Sequence, residues 1–489
     1  MDFADWSARE LSAAISARDV SARELMTATL DRVAAVNGPV NALVSLRDHD
    51  VLMAAASEAD GMPSRGWLHG IPIAIKDLVD VKGLPTSKGS PIYAGNIARA
   101  NHLMVARLQA AGAIVVGKTN VPEFGFGSHT VNPVFGATRN PYDLTRSAGG
   151  SSGGAAAALA TGMLPIADGS DMMGSLRNPA AWNNVYGMRP TWGLVPPEPA
   201  GEIYFRHLST LGPMARCPRD LAALLDTMSG TVRHWPFGRE QAPALSHWDA
   251  PTGNPRVAWL RDWDGAYPLA SGVAEICDQA TSEMSHMGWN ITSAAAPFPA
   301  PDLWQAWCVL RSFNIAGEHG ADYDLPERRM RLGPAVKWEI EQGRGLTAEQ
   351  IYRASQIRSD WYRAALALFE EVDALLLPSA QVWPFPVEQA HPVEISGTHM
   401  DSYHRWMAIV VPASLIGLPV VNLPVGFGRG GLPMGLQLIG APGSDAYLLR
   451  LAQSWHEVTE WPQRRPAFAE AGARDENGAC DNDNAARRP

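Results

Sequence analysis

The sequence predicts an α/β fold, a single domain with a mixed central β-sheet covered by helices on both faces. Two observations carry this. From Ile71 onward, short β-branched runs (71–75 and 113–117) alternate with helical stretches (102–112 and 153–162), the order that lays helices over a sheet. Continuous apolar runs return late in the chain, at 373–378, 418–425 and 435–440, and read as strands buried on both faces.

In chain order, Ser7 with Glu10 and Ser21 with Glu24 form two capping boxes, each followed by helical apolar spacing such as Leu11/Ile15 and Met26/Leu30/Val33, so two helices open the chain. The residues before Ser151, from Thr138 to Ala148, read as turns. A stretch with Pro196, Pro197 and Pro199 precedes helical patterns near 218–229 and a long Trp-rich helical section from about 302 to 371, expected to cap a pocket. The expected organisation is a catalytic domain over 1–470 and a disordered tail over 471–489, where Asn, Asp, Ala and Arg recur without periodicity.

Composition narrows the function classes. With 489 residues, 46% of them apolar and 18% charged, the chain can bury a large core and a globular enzyme is expected. A net charge of −10 without a basic run argues against a nucleic-acid partner. No basic-then-apolar leader and no span of membrane length are evident. Cys217, Cys277, Cys308 and Cys480 form no CxxC pair, so neither a zinc site nor a disulfide framework is expected, and a reducing, cytoplasmic setting fits best.

Two motifs mislead. Gly112–Thr119 spells the phosphate-loop pattern, but its four middle residues form an apolar strand where a phosphate-cradling loop is required. Gly426-x-Gly428-x-x-Gly431 spells the dinucleotide fingerprint, but Leu432-Pro433 and another strand follow, so a β-hairpin is expected. No HExxH or comparable metal cluster occurs, and no cofactor is expected.

The chemistry concentrates elsewhere. Arg146–Gly154 (RSAGGSSGG) runs straight into Ala-rich helix, so backbone N–H groups converge on a glycine turn. A flexible linker would not abut so strong a helix former. Gly149-x-Ser151-x-Gly153 also fits the nucleophile elbow of a Ser-His-Asp α/β-hydrolase, which needs a strand before the serine and a histidine later. A second glycine-flanked serine, Ser175, lies 24 residues on in Gly169–Ala181, and upstream Gly70–Asp77 puts Lys76 at the end of an apolar strand.

Together these segments resemble the amidase signature family, and the resemblance covers nearly the whole chain. It implies Ser175 as nucleophile, Ser151 as a serine in a cis peptide and Lys76 as base. Gly117–Asn120 with Glu123-Phe124, Gly136–Pro141, and Arg189–Thr191 with Gly193 are similar to further family segments. An amide carbonyl is attacked by serine only when a base takes its proton, and lysine does so only when neutral. Bringing Lys76 from about 10.4 to about 7.5 costs about 4 kcal/mol, which burial can impose.

The backbone N–H groups of Met172, Met173, Gly174 and Ser175 are the expected oxyanion hole. Gly149, Gly150, Ser152, Asp171, Arg177 and Asn183 are expected to support the site or bind substrate. The chain departs from the family where Met173 replaces a glycine, Trp182-Asn183 replaces small residues and Ala148 replaces a proline. These changes suggest a bulky or aromatic-lined pocket, with Met172, Met173, Trp304, Trp307 and Trp338 as candidate walls. The substrate expected is a small amide, anilide or carbamate, and the protein a monomer or homodimer. The alternatives are the amidase component of a glutamyl-tRNA amidotransferase, the α/β-hydrolase and, last, a non-catalytic binding protein on the same fold.

Overall fold

The computed structural model describes residues 3–198, 201–428 and 430–469. The expected tail, 471–489, lies outside them. Both capping boxes form, and helices α1 (Ala8–Ala17) and α2 (Ala22–Val40) start where Ser7 and Ser21 accept the N–H of Glu10 and Glu24.

Strands then divide between two sheets. A small sheet aligns β1 (Leu43–Val44), β3 (Ile114–Thr119) and β2 (Pro72–Lys76), with β3 at its centre and β2 parallel to it. The strand reading of Gly112–Thr119 is therefore correct. The large sheet contains β4 (Ile166–Asp171), β5 (Tyr186–Arg189), β6 (Thr210–Ala215), β7 (Arg256–Trp259), β8 (Asn290–Ser293), β9 (Ala374–Pro378), β10 (Val420–Phe427) and β11 (Pro433–Ile439). Its order is β8-β7-β9-β11-β10-β5-β6-β4, parallel across β8-β7-β9 and antiparallel elsewhere. The sheet is mixed, as expected, and β10 and β11 are the hairpin expected around Gly426. Every residue of β5, β9 and β11 is buried, and since successive side chains point to opposite faces, both faces are covered.

One difference from the sequence reading positions the site. Lys76 ends β2, in the small sheet, whereas the segment leading to Ser175 continues β4, at an edge of the large one. The two sheets meet there: β2 packs on β4. The segment before Ser151 also differs, because Arg139–Asn140 and Asp143–Ser147 pair as a short hairpin outside both sheets.

Helix α3 (Gly153–Ala160) is buried at all its positions. Its neighbours approach so closely that only small residues fit: a Cβ on Gly154 would stand 2.3 Å from the backbone nitrogen of Asn120. The short helix α4 (Arg177–Trp182) packs on β5, β10 and β11. The Trp-rich section forms α5 (Ala300–Asp324), α6 (Pro334–Arg344) and α7 (Ala348–Glu371), with α6 and α7 both packed on α5.

Gly154→Ala tests this packing. In an exposed helix the change stabilises by about 1 kcal/mol; here the clash with the Asn120 backbone is expected to destabilise by about 1–3 kcal/mol, measured by urea denaturation.

Candidate active site

Lys76 is completely buried. Its Nζ lies 2.8 Å from Ser151 Oγ, 2.8 Å from Ser152 Oγ, 3.0 Å from Ser170 Oγ and 3.3 Å from the Ser170 carbonyl oxygen. An ammonium has three N–H groups. Four contacts leave room for one hydroxyl to donate to the lone pair of the neutral amine. Burial pushes the Lys76 ammonium down to about 7, against the weaker opposing charges of Asp168 and Asp171. Asp168 Oδ1 accepts the Lys76 backbone N–H at 2.8 Å, tying β2 to β4 where the sheets meet. Burial also pushes the Asp168 carboxyl up to about 6.

The peptide Gly150–Ser151 is cis. Ser128 Oγ donates to the Gly150 carbonyl and accepts its N–H. Asn183 Nδ2 donates to the carbonyls of Ala148 and Pro179, each at 2.7 Å, and so holds the glycine turn against α4. The missing side chain at Gly125 matters as well, since a Cβ there would stand 3.0 Å from Leu78 Cδ1 and 3.3 Å from Ser151 Oγ.

Ser175 is brought alongside by its carbonyl, which accepts the Ser152 N–H at 3.2 Å. The residue is 6% exposed, and its hydroxyl makes no hydrogen bond among the described residues. Asp171 shapes the turn before it. Arg177 donates to both Asp171 oxygens, at 3.0 and 2.9 Å, and the N–H groups of Gly174 and Leu176 also point at that carboxylate, at 2.9 and 3.1 Å. Arg189 adds a second guanidinium at 3.4 Å. Burial raises the Asp171 carboxyl, but the charges and hydrogen bonds of Arg177 with the charge of Arg189 outweigh it and hold it below the usual carboxylate range.

Several expectations are corrected. The Gly174 N–H is committed to Asp171, which leaves Met172, Met173 and Ser175 as the turn's donors without an acceptor among the described residues. Gly174 itself is indispensable at φ 81°, where a Cβ would fall 2.1 Å from Asn178 Oδ1. Asp171, Arg177 and Asn183 are wholly buried and hydrogen-bond protein groups, contacts that fit the supporting role among the two expected of them, with Asn183 Oδ1 alone left without a partner among the described residues. Met173 packs in the core, as do Trp307 and Trp182, the latter stacked on Trp406. Met172 is half-buried. Trp304 lies against His404 and under Arg405, and Trp338, 36% exposed, meets Tyr403 edge-on.

No histidine hydrogen-bonds Ser151 or Ser175 among the described residues; His129, the nearest in sequence to Ser151, spends its nitrogens on Ser147 Oγ and the Val387 carbonyl. The α/β-hydrolase alternative therefore lacks its base. Among the described residues no group of three His, Cys, Asp or Glu is placed to hold a metal ion, and no helix is long and apolar enough to cross a membrane. Sequence reasoning missed Asp168, Ser170 and Ser128. The two-residue period of β4 was the available signal for the first two, because it places Asp168 and Ser170 on one face.

Comparisons with known proteins agree with this geometry. The profile of the Amidase family matches residues 24–449. An acylamidase of Rhodococcus erythropolis is 34% identical over 474 residues, covering 94% of this chain and 97% of that one. A glutamyl-tRNA(Gln) amidotransferase component from Chloroflexus aurantiacus is 35% identical over 488 residues, covering 93% and 96%. The crystal structure of a bacterial aryl acylamidase superposes with a TM-score of 0.87 at 25% identity, covering 96% and 98%. Fold and relatives together define a hydrolase acting on amide carbon–nitrogen bonds. The chain belongs to the amidase signature family.

Burial of Lys76 has a measurable consequence for stability. Its folded-state value, about 7, lies below the unfolded value of about 10.4, so between them the unfolded chain holds more protons and stability rises with pH. The penalty is complete below about pH 7 and gone above the unfolded value. Lys76→Met is expected to remove it: the variant's stability advantage over the native chain is largest below about pH 7 and shrinks toward about pH 10, read by urea denaturation across that range.

Proposed function

We propose that this protein hydrolyses small neutral amides, anilides or carbamates carrying a bulky or aromatic group, through an acyl-enzyme on Ser175. The observation that supports the reading best is the contact of a fully buried Lys76 Nζ with Ser151 Oγ at 2.8 Å, on a turn bonded to the Ser175 backbone. Neutral Lys76 takes the Ser151 proton as Ser151 takes that of Ser175. Ser175 Oγ then attacks the carbonyl carbon, and the N–H groups of Met172, Met173 and Ser175 receive the oxyanion, each donor worth roughly 3–4 kcal/mol. The intermediate collapses as the carbon–nitrogen bond breaks, the amine leaving with the proton returned through Ser151. Water, deprotonated by the same relay, releases the acid. The Ser175 hydroxyl has no acceptor among the described residues, and such contacts commonly tighten only when substrate is bound.

Bulky substrates are favoured by Met172 and the aromatic rim of Phe126, Tyr403 and Trp338. A cytoplasmic setting, a monomer or homodimer, and a catalytic unit spanning 1–470 belong to the same reading. A second reading, an ammonia-producing component of a tRNA amidotransferase, draws on the identity with the Chloroflexus aurantiacus protein. Hydrolysis of simple amides by the purified chain without partners would count against it.

Ser175→Ala is expected to remove essentially all turnover with unfolding unchanged, and a fluorophosphonate is expected to label Ser175; a label mapped to another residue would reject the assignment. With Lys76 needed neutral and held near about 7, kcat/KM is expected to rise with pH through an acid limb centred there and then level off. A flat profile from about pH 5 to about pH 9 would contradict a lysine base.

A further inference from the structure

A second buried polar cluster sits in the helical section beside the nucleophile turn. Arg311, on α5, is 5% exposed and Glu339, on α6, 0%. Arg311 Nε donates to Glu339 Oε1 at 2.6 Å, and its Nη2 donates to Tyr403 Oη at 2.7 Å. Tyr403 Oη in turn donates to the same Oε1 at 2.8 Å, while Ser312 Oγ donates to Oε2 at 2.6 Å. The carboxylate is thereby used on both oxygens, and the guanidinium charge is balanced.

The guanidinium is not used up. It carries five N–H groups, and a thioether is a weak acceptor. Its Nη1 faces Met172 Sδ at 3.0 Å, so among the described residues three N–H groups are engaged and one of these only by sulfur. The Phe126 ring covers one face of the fork, 5.1 Å from its carbon. Met172 stands three residues before Ser175, and its backbone N–H is one of the turn's unused donors. The unspent donors of Arg311 and those of the turn thus lie on either side of the Met172 side chain.

We propose that Arg311 is a specificity-determining residue, donating from its Nη groups to an uncharged hydrogen-bond acceptor on the substrate, next to an aromatic group packed on Phe126 and Met172. This rests on the acyl-enzyme reading above and narrows its substrate class. The acceptor is uncharged because Glu339 already balances the guanidinium: a substrate carboxylate would be stripped of water without gaining a free counter-charge. The same charge balance disfavours an amino acid's carboxylate as the group bound here. If Arg311 only tied α5 to α6, its loss would lower activity on every substrate equally.

The test compares kcat/KM on isosteric pairs. Phenoxyacetanilide against 3-phenylpropionanilide exchanges an ether oxygen for methylene on the acyl side, and 4′-methoxyacetanilide against 4′-ethylacetanilide does so on the amine side. Succinanilate supplies the anion. The native protein is expected to prefer the ether in one pair by at least about tenfold, one hydrogen bond's worth, and to use succinanilate poorly. Arg311→Lys keeps the charge opposite Glu339 but loses the fork, and is expected to abolish that preference. Met172→Leu, a well-tolerated exchange, removes the competing sulfur and is expected to widen it, and decides the matter if the first variant does not fold. No preference in the native protein, a preference unchanged in the folded variants, or succinanilate as the best substrate would overturn the proposal. Fluorophosphonate labelling separates the two levels: an unlabelled Ser175 sinks the acyl-enzyme reading, whereas a labelled Ser175 without discrimination sinks only the role of Arg311.

Discussion

The site depends on keeping a primary amine dry and out of contact with any carboxylate. Its neighbour shows the contrast. Lys118, on the adjacent strand, is equally buried but lies 3.4 Å from Asp77 Oδ1 and donates to the Val79 carbonyl, the environment of a structural ion pair. Lys76 is ringed by three serine hydroxyls and a carbonyl. The nearby carboxylates are held away by other obligations: Asp168 takes the Lys76 backbone N–H, Asp171 is clamped by Arg177 and Arg189, and Asp77 binds Ser87 and Lys118. Without a counter-ion in contact, desolvation decides the balance and favours the neutral amine.

That arrangement requires backbones to approach closely where two sheets meet, which explains the composition of the glycine turn and the helix after it. Gly154 packs against the Asn120 backbone, and Gly153 against Thr130. Burial on all sides leaves α3 no polar face and confines it to glycine, alanine and one leucine. The Asp171 clamp is costly in the same way. Two guanidiniums and a carboxylate without water are stabilising only while every partner is present, so the cluster holds the turn before Ser175 in one geometry and contributes little to net stability.

The helical section from Ala300 to Glu371 brings different chemistry to the same place. Trp307 and Trp361 anchor it in the core, while Arg311, held by Glu339, reaches Met172 Sδ on the turn before Ser175. Trp307 and Arg311 are four residues apart on α5 and share one face of it, so the apolar anchor and the polar cluster are set by the same helix packing.

The strands and helices, the capping boxes and the misleading character of both glycine motifs were legible in the sequence, because each depends on local periodicity, turn chemistry or a contiguous segment; the lysine–serine–serine set came from the family resemblance. Roles that depend on what lies opposite were not. Trp307 and Met173 read as pocket walls and are core, since bulk, near Ser175 in sequence or not, says nothing about which way the side chain leaves the backbone. Gly174 read as a free donor until Asp171, three residues earlier, folded back onto its N–H. Arg311 and Glu339 gave no signal, being 28 residues apart on separate helices with their common partner Tyr403 downstream of both. The sequence by itself determined the elements and the residue types available for chemistry. Only the tertiary structure decided which of them lost their water and their partners, because burial and hydrogen-bond competition are set by segments distant in the chain.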